Sequence, residues 1–201
     1  MRSDNRISGI DIIGDVPWGT HFCQFYQTKE DLMDIIIPYF KAGLEYNEFC
    51  WWIISEPLDE EEVKEALKLA IPDINDYLEN GQIEIISHAG WYVEESILDP
   101  HTVSNQMIEK SNKALANGYD GLRYSGNDFC GHNKIFDSSI GKYPVIALCT
   151  YTIDNCNVTS IFEIVANHQF ALIKREDKWE QIESSCQKNI RECKQYDQAL
   201  Q

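Results

Sequence analysis

A chain of 201 residues, 43% apolar and 25% charged, can bury one sizeable core and still extend beyond it, as a globular protein does. Its net charge of −16 repels nucleic-acid phosphates and anionic headgroups, which argues against DNA, RNA or a membrane surface as direct partners. No window approaches about 18 uninterrupted apolar residues and no signal-peptide core follows the first residues, so a cytoplasmic location is expected, with the seven cysteines as thiols.

Residues 1–17 hold Gly9, Gly14 and Pro17 around a short apolar run, 10–13, that reads as an edge strand or a lead-in. Residues 21–26, His-Phe-Cys-Gln-Phe-Tyr, read as the first central strand. Alternation puts His21, Cys23 and Phe25 on one face and Phe22, Gln24 and Tyr26 on the other. The turn that follows has no glycine. The glycine-rich loop that cradles phosphates in nucleotide-binding α/β domains is therefore missing. Thr28 and Asp31 have the spacing of a capping box for a helix that points Leu32, Ile35, Ile36, Tyr39 and Phe40 inward. Pro38 should kink that helix and Gly43 should end it.

Residues 48–55 form a continuous apolar run, as in a strand buried on both faces. Ser55 and Pro57 mark the next helix start, with Val63, Leu67, Ala70 and Ile71 inward. A short helix over 73–78, ended by Asn80-Gly81, leads to a strand at 83–87. Residues 88–101 read as a long loop carrying Trp91-Tyr92, and 102–116 as a helix. A strand at 121–125 precedes a second polar loop, 127–141. A doubly buried strand at 144–151, a helix at 158–167 and a strand at 170–174 complete the core. This alternation predicts an α/β fold of three layers, a mainly parallel central sheet with helices on both faces. Ligands of such sheets bind beyond the carboxyl ends of the strands, where His88, Trp91, residues 125–132 and Tyr151 fall. In the tail, Trp179, Ile182, Cys186, Ile190, Cys193, Tyr196 and Leu200 recur by threes and fours. That seam predicts an extended C-terminal helix, a coiled coil or linker able to pair two chains, and divides the sequence into 1–175 and 176–201.

Several pieces together resemble one known family. They are His21-x-Cys23-x-Phe25-Tyr26, Ala42-Gly43-Leu44, the strand at 49–54, and Leu122-Arg123-Tyr124-Ser125-Gly126. Leu148-Cys149-Thr150-Tyr151 and the stretch from Asn167-His168 to Ile173 complete the set. The family is the MEDS domain, the methanogen/methylotroph sensory domain, and the resemblance runs over residues 8–175. It implies a RecA/KaiC-type core that has lost its phosphate loop. It also implies a small hydrocarbon-type or one-carbon ligand, and a histidine kinase or transcription regulator as the output partner in a two-component or related system.

The expected ligand-binding residues are His21, Cys23, Tyr26, Trp91, Arg123, Cys149 and Tyr151, with no catalytic residue and no cofactor. The plain alternative for His21 and Cys23 is that both are core residues. Arg123 lies in a strand and needs a charged partner, for which Asp120, Asp128 and Glu48 are available. A second class of function is a zinc–thiol protein doing methyl-transfer or thiol redox chemistry. Cys130-Gly-His132 mirrors the first pair, and His21, Cys23, Cys130 and His132 would offer two sulfurs and two nitrogens, a donor set that suits tetrahedral zinc. A third class is a residual nucleotide binder.

Overall fold

In the computed structural model, which describes residues 5–87, 100–127 and 140–183, the apolar runs form strands and the capped, periodic stretches form helices. The chain enters through a small antiparallel ladder of β1 (Asn5–Ile7) and β2 (Asp15–Pro17). A 7-stranded sheet follows. Its strands are β3 (His21–Tyr26), β4 (Phe49–Ile54), β5 (Ile83–Ser87), β6 (Leu122–Asn127), β7 (Val145–Thr152), β8 (Phe170–Arg175) and β9 (Lys178–Glu183). The order is β5-β4-β6-β7-β3-β8-β9, parallel except for the β8–β9 pair. Every residue of β3 is buried, because helices cover both of its faces.

Helices α1 (Lys29–Glu45), α2 (Glu60–Ala70) and α3 (Ile74–Glu79) cover one face. There Leu32, Ile36, Phe40, Val63, Leu67 and Ile74 pack on Phe22, Trp52, Leu148 and Leu172. Helices α4 (Pro100–Ala116) and α5 (Val158–Ala166) cover the other. Met107 of α4 meets Trp51, Ile53 and Tyr124, and Ile164 of α5 meets Cys23, Phe25, Cys149 and Tyr151. The three-layer, mainly parallel architecture follows from these two apolar faces.

Thr28 caps α1 as expected: its hydroxyl accepts from the Asp31 amide and the Asp31 carboxylate answers the Thr28 amide. Gly43, however, does not end the helix, which runs on to Glu45. Glycine stands there because Arg123 lies against the helix backbone, and a Cβ would come 2.6 Å from Arg123 Cδ. The next helix is capped by Asp59 with Glu62, not by Ser55.

The C-terminal extended helix is not what residues 178–183 form. They are β9, turned back onto β8 by Glu176 and Asp177, both with positive φ (46° and 59°) as in the primed turns that suit hairpins. The free edge of β8 gains a ladder, and Trp179 packs against the main core with the Lys174 ammonium 5.7 Å over its ring. A hairpin turn without glycine leaves little trace in sequence, and the three-residue step from Trp179 to Ile182 fits either structure. Residues 184–201, which hold the rest of the seam, lie outside the described residues.

One buried charge ties these elements together. Arg123, on β6, uses all five of its N–H groups. Nε and Nη2 bind the Glu48 carboxylate at 2.5 and 3.1 Å, Nη1 binds the carbonyls of Ser8 and Tyr39 at 2.9 Å each, and Nη2 binds that of Ile7 at 2.9 Å. Its guanidinium carbon lies 4.7 Å from the Tyr39 ring centre. Glu48 also accepts from Arg6 at 2.8 Å. Of the three acidic partners expected, Glu48 is the one bound among the described residues, and Asp128 lies outside them.

Arg123→Met leaves Glu48 buried beside Arg6 alone, and the expected loss is about 3–5 kcal/mol in urea unfolding. Arg123→Lys should recover little of it, since three donors cannot replace a five-donor fork. A chain ended after residue 175 should melt below one ended after residue 183, because only the second keeps β9; equal melting temperatures would contradict the hairpin.

Candidate ligand site

β3 and β7 run side by side in parallel, with His21 opposite Ala147 and Cys23 opposite Cys149. Their odd-numbered residues face α5, so His21, Cys23, Cys149 and Tyr151 share one surface. A further imidazole reaches it from the connection between α5 and β8. His168 follows Asn167, the C-cap of α5, and its Nδ1 lies 2.7 Å from the Ile164 carbonyl. That bond can only be made by an N–H, so the proton sits on Nδ1 and the lone pair on Nε2.

The result is a compact trio. His21 Nε2 lies 3.4 Å from Cys149 Sγ, and the two imidazole rings are 4.2 Å apart between centres. One ligating atom from each of His21, Cys149 and His168 lies within 4.8 Å of the other two. All three residues are buried. The Tyr151 ring stands edge-on to His168 with centres 6.0 Å apart, and Phe25 packs on Tyr151.

Burial alone would raise the Cys149 thiol. The charge on His21, with the imidazoles of His168 and His21 close against the sulfur, reverses that and brings it from 9.0 to about 6. Cys23, its neighbour across the ladder, moves the opposite way. Burial pushes its thiol up, and the nearby Cys149 and Cys156 add to the effect. His168 is lowered by burial and by His21, against the pull of Cys149. At neutral pH the trio therefore holds a thiolate beside a neutral His168.

The remaining candidates are placed elsewhere. Tyr26 lies on the opposite face, in the core under α1, and Arg123 is also on that side, fully engaged by Glu48 and carbonyls. Trp91, Cys130 and His132 lie outside the described residues, so only half of the expected zinc quartet falls within them. His168 was quoted above only as part of a family-like stretch. A histidine just past a helix end has no local pattern that marks it as a site residue. His21 opens β3 and Cys149 lies midway along β7, so the trio sits on the sheet face beneath α5, not beyond the carboxyl ends where a ligand was expected.

Two further features bear on ligand choice. Only residues 27 and 28 separate β3 from α1, and their amides donate to Asp31 Oδ2 at 3.3 and 3.2 Å. The Asp31 carboxylate thus occupies the anion position of the helix N-terminus, braced by Lys174 at 2.8 Å. On the α4 side, a groove of about 610 Å³ is lined by Phe49, Trp51, Ile83 and Lys110, whose ammonium lies 4.5 Å over the Trp51 ring and pairs with Glu84.

Among known families, the model described as MEDS, the methanogen/methylotroph, DcmR sensory domain, matches residues 20–169. No curated protein matches the chain. Among solved structures, a KaiC-like protein from the hyperthermophilic archaeon Pyrococcus horikoshii is similar at 10% identity with a TM-score of 0.58, over 88% of this chain and 85% of that one. The flagellar accessory protein FlaH from Methanocaldococcus jannaschii is similar at 11% identity with a TM-score of 0.57, over 89% of this chain and 84% of that one. Identities this low speak to the fold, which is of the KaiC-like, RecA-type kind. Among the described residues no helix is long and apolar enough to cross a membrane.

The ultraviolet absorbance of a thiolate should titrate with a midpoint near pH about 6, vanish in Cys149→Ser and persist in Cys23→Ser. Because the folded value lies below the unfolded one, the stabilisation from the ionised thiol is complete above pH 9.0 and is lost as the pH falls through about 6. The stability advantage over Cys149→Ser should shrink across that window.

Proposed function

The chain belongs to the MEDS family of sensory domains, and from that premise we propose that it is the receptor for a small hydrocarbon-type or one-carbon compound. The observation that carries the reading is the buried His21–Cys149–His168 trio, a polar and nucleophilic spot set in an otherwise apolar surface under a single helix. A small molecule with one polar or soft atom meets matched chemistry there. The helix end that would hold a nucleotide phosphate carries Asp31 instead, and a phosphate placed there would meet a carboxylate.

Binding favours one arrangement of α5 and the sheet, and the signal leaves through the segment that follows β9 to a histidine kinase or transcription regulator. A ligand shifts such an equilibrium only by its difference in affinity between the two states.

Thermal melts of the full chain with methanol, methylamine, methanethiol and a halomethane test this. At least one, at about a hundred times its Kd, should raise the midpoint by about 5–10 °C. The shift should disappear in Cys149→Ser and survive Lys110→Gln, which alters only the groove on the α4 side. Stabilisation by magnesium ATP, or by none of the four compounds, would overturn the reading.

A further inference from the structure

We propose that His21, Cys149 and His168 are the three protein ligands of a zinc ion whose fourth position is left for a small exogenous donor. Two imidazoles and one thiolate are a donor set that zinc favours. The spacing agrees. Ligands held at zinc–nitrogen and zinc–sulfur bond lengths in a tetrahedron lie about 3.5 Å apart, and His21 Nε2 is 3.4 Å from Cys149 Sγ. The third donor atom lies within 4.8 Å of both.

His168 carries the mark of a metal-binding imidazole. Its Nδ1 proton is tied to the Ile164 carbonyl, which fixes the ring and leaves the Nε2 lone pair to act as donor. Among the described residues that Nε2 is buried and has no hydrogen-bond partner by distance and angle. A buried nitrogen left this way is unfavourable, and coordination to a cation removes the penalty. The three ligands come from two central strands and the connection just past a helix end, so the site is preformed.

This set differs from the quartet expected from sequence. Cys23 lies beside Cys149 in the ladder but outside the trio. Three protein ligands with an open fourth position are the pattern of zinc sites that bind a small molecule. Zinc with one thiolate retains a positive charge, so the fourth donor is a thiol, which binds as its thiolate and releases its proton to solvent, or another soft one-carbon compound. The assignment of that last position rests on the sensor reading; the zinc site itself does not.

The test uses the full chain, purified without chelators and then stripped and titrated with zinc sulfate. One zinc per chain is expected by elemental analysis, and cobalt(II) in its place should show a thiolate-to-metal charge-transfer band. Cys149→Ser and His168→Ala, with circular dichroism matching wild type, should each weaken zinc binding by at least about a hundredfold; Cys23→Ser should bind as wild type does. Because Cys149→Ser could also perturb packing, Cys149→Ala serves as a second variant with the same expected loss. The zinc site is overturned if the stripped chain binds zinc no tighter than Cys149→Ala does, or if Cys23→Ser loses zinc while Cys149→Ser keeps it. If zinc binds as expected but methanethiol leaves the cobalt band and the melting midpoint of the zinc-loaded chain unchanged, the zinc site stands and the open-position assignment fails.

Discussion

The buried pair of Arg123 and Glu48 is the constraint on which the other contacts depend. Both side chains are fully buried, and the guanidinium spends every donor on Glu48 and on carbonyls from α1 and the lead-in. A pair of this kind adds less stability than an apolar replacement could, but removing one member is severe. Its contribution here is orientation. With Arg123 turned to α1, Tyr124 must turn to the opposite face. Register then carries that choice across the sheet. Arg123 stands opposite Ile146 and Tyr124 opposite Ala147, so Ile146 and Leu148 face α1 while Ala147 and Cys149 face the other layer. A slip of one residue would send Cys149 to the wrong side.

The two faces of the sheet consequently differ in chemistry. The α1 face is sealed: α1 buries ten side chains or backbones from Asp31 to Leu44, and its N-terminus is closed by Asp31. The opposite face near β3 and β7 is covered by α5, which buries only Ile164 and leaves Val158 and Phe162 exposed. A cover held by so few buried contacts is among the first parts of a fold to open.

The KaiC-like core differs in its chemistry between the strand-to-helix turn and the sheet face. The strand-to-helix turn that binds phosphate in nucleotide-binding relatives of this architecture is cut to two residues, whose amides serve an internal carboxylate. On the sheet face, by contrast, two imidazoles act on the charge of one thiol. Cys23 and Cys149, equivalent in register and both deeply buried, are driven in opposite directions because only Cys149 lies within reach of His21 and His168.

The sequence by itself determined the layered α/β fold, the capped α1 and the missing phosphate loop. These are local or periodic properties: apolar runs of strand length, a Thr28–Asp31 spacing, and the absence of glycine after Tyr26. It also put His21 and Cys23 on one strand face, which alternation alone decides. Tertiary structure decided the rest. Cys149 and His168 reach His21 from 128 and 147 positions along the chain, and no spacing rule spans such gaps. Arg123 could have met Asp120, Asp128 or Glu48, and only the packing of α1 against β4 and β6 selects Glu48. At 178–183 the expected helix is a strand, because the three-residue step from Trp179 to Ile182 fits a helical period without requiring one. What settles β9 is the open edge of β8, the neighbouring strand that residues 178–183 need as a partner and do not encode on their own.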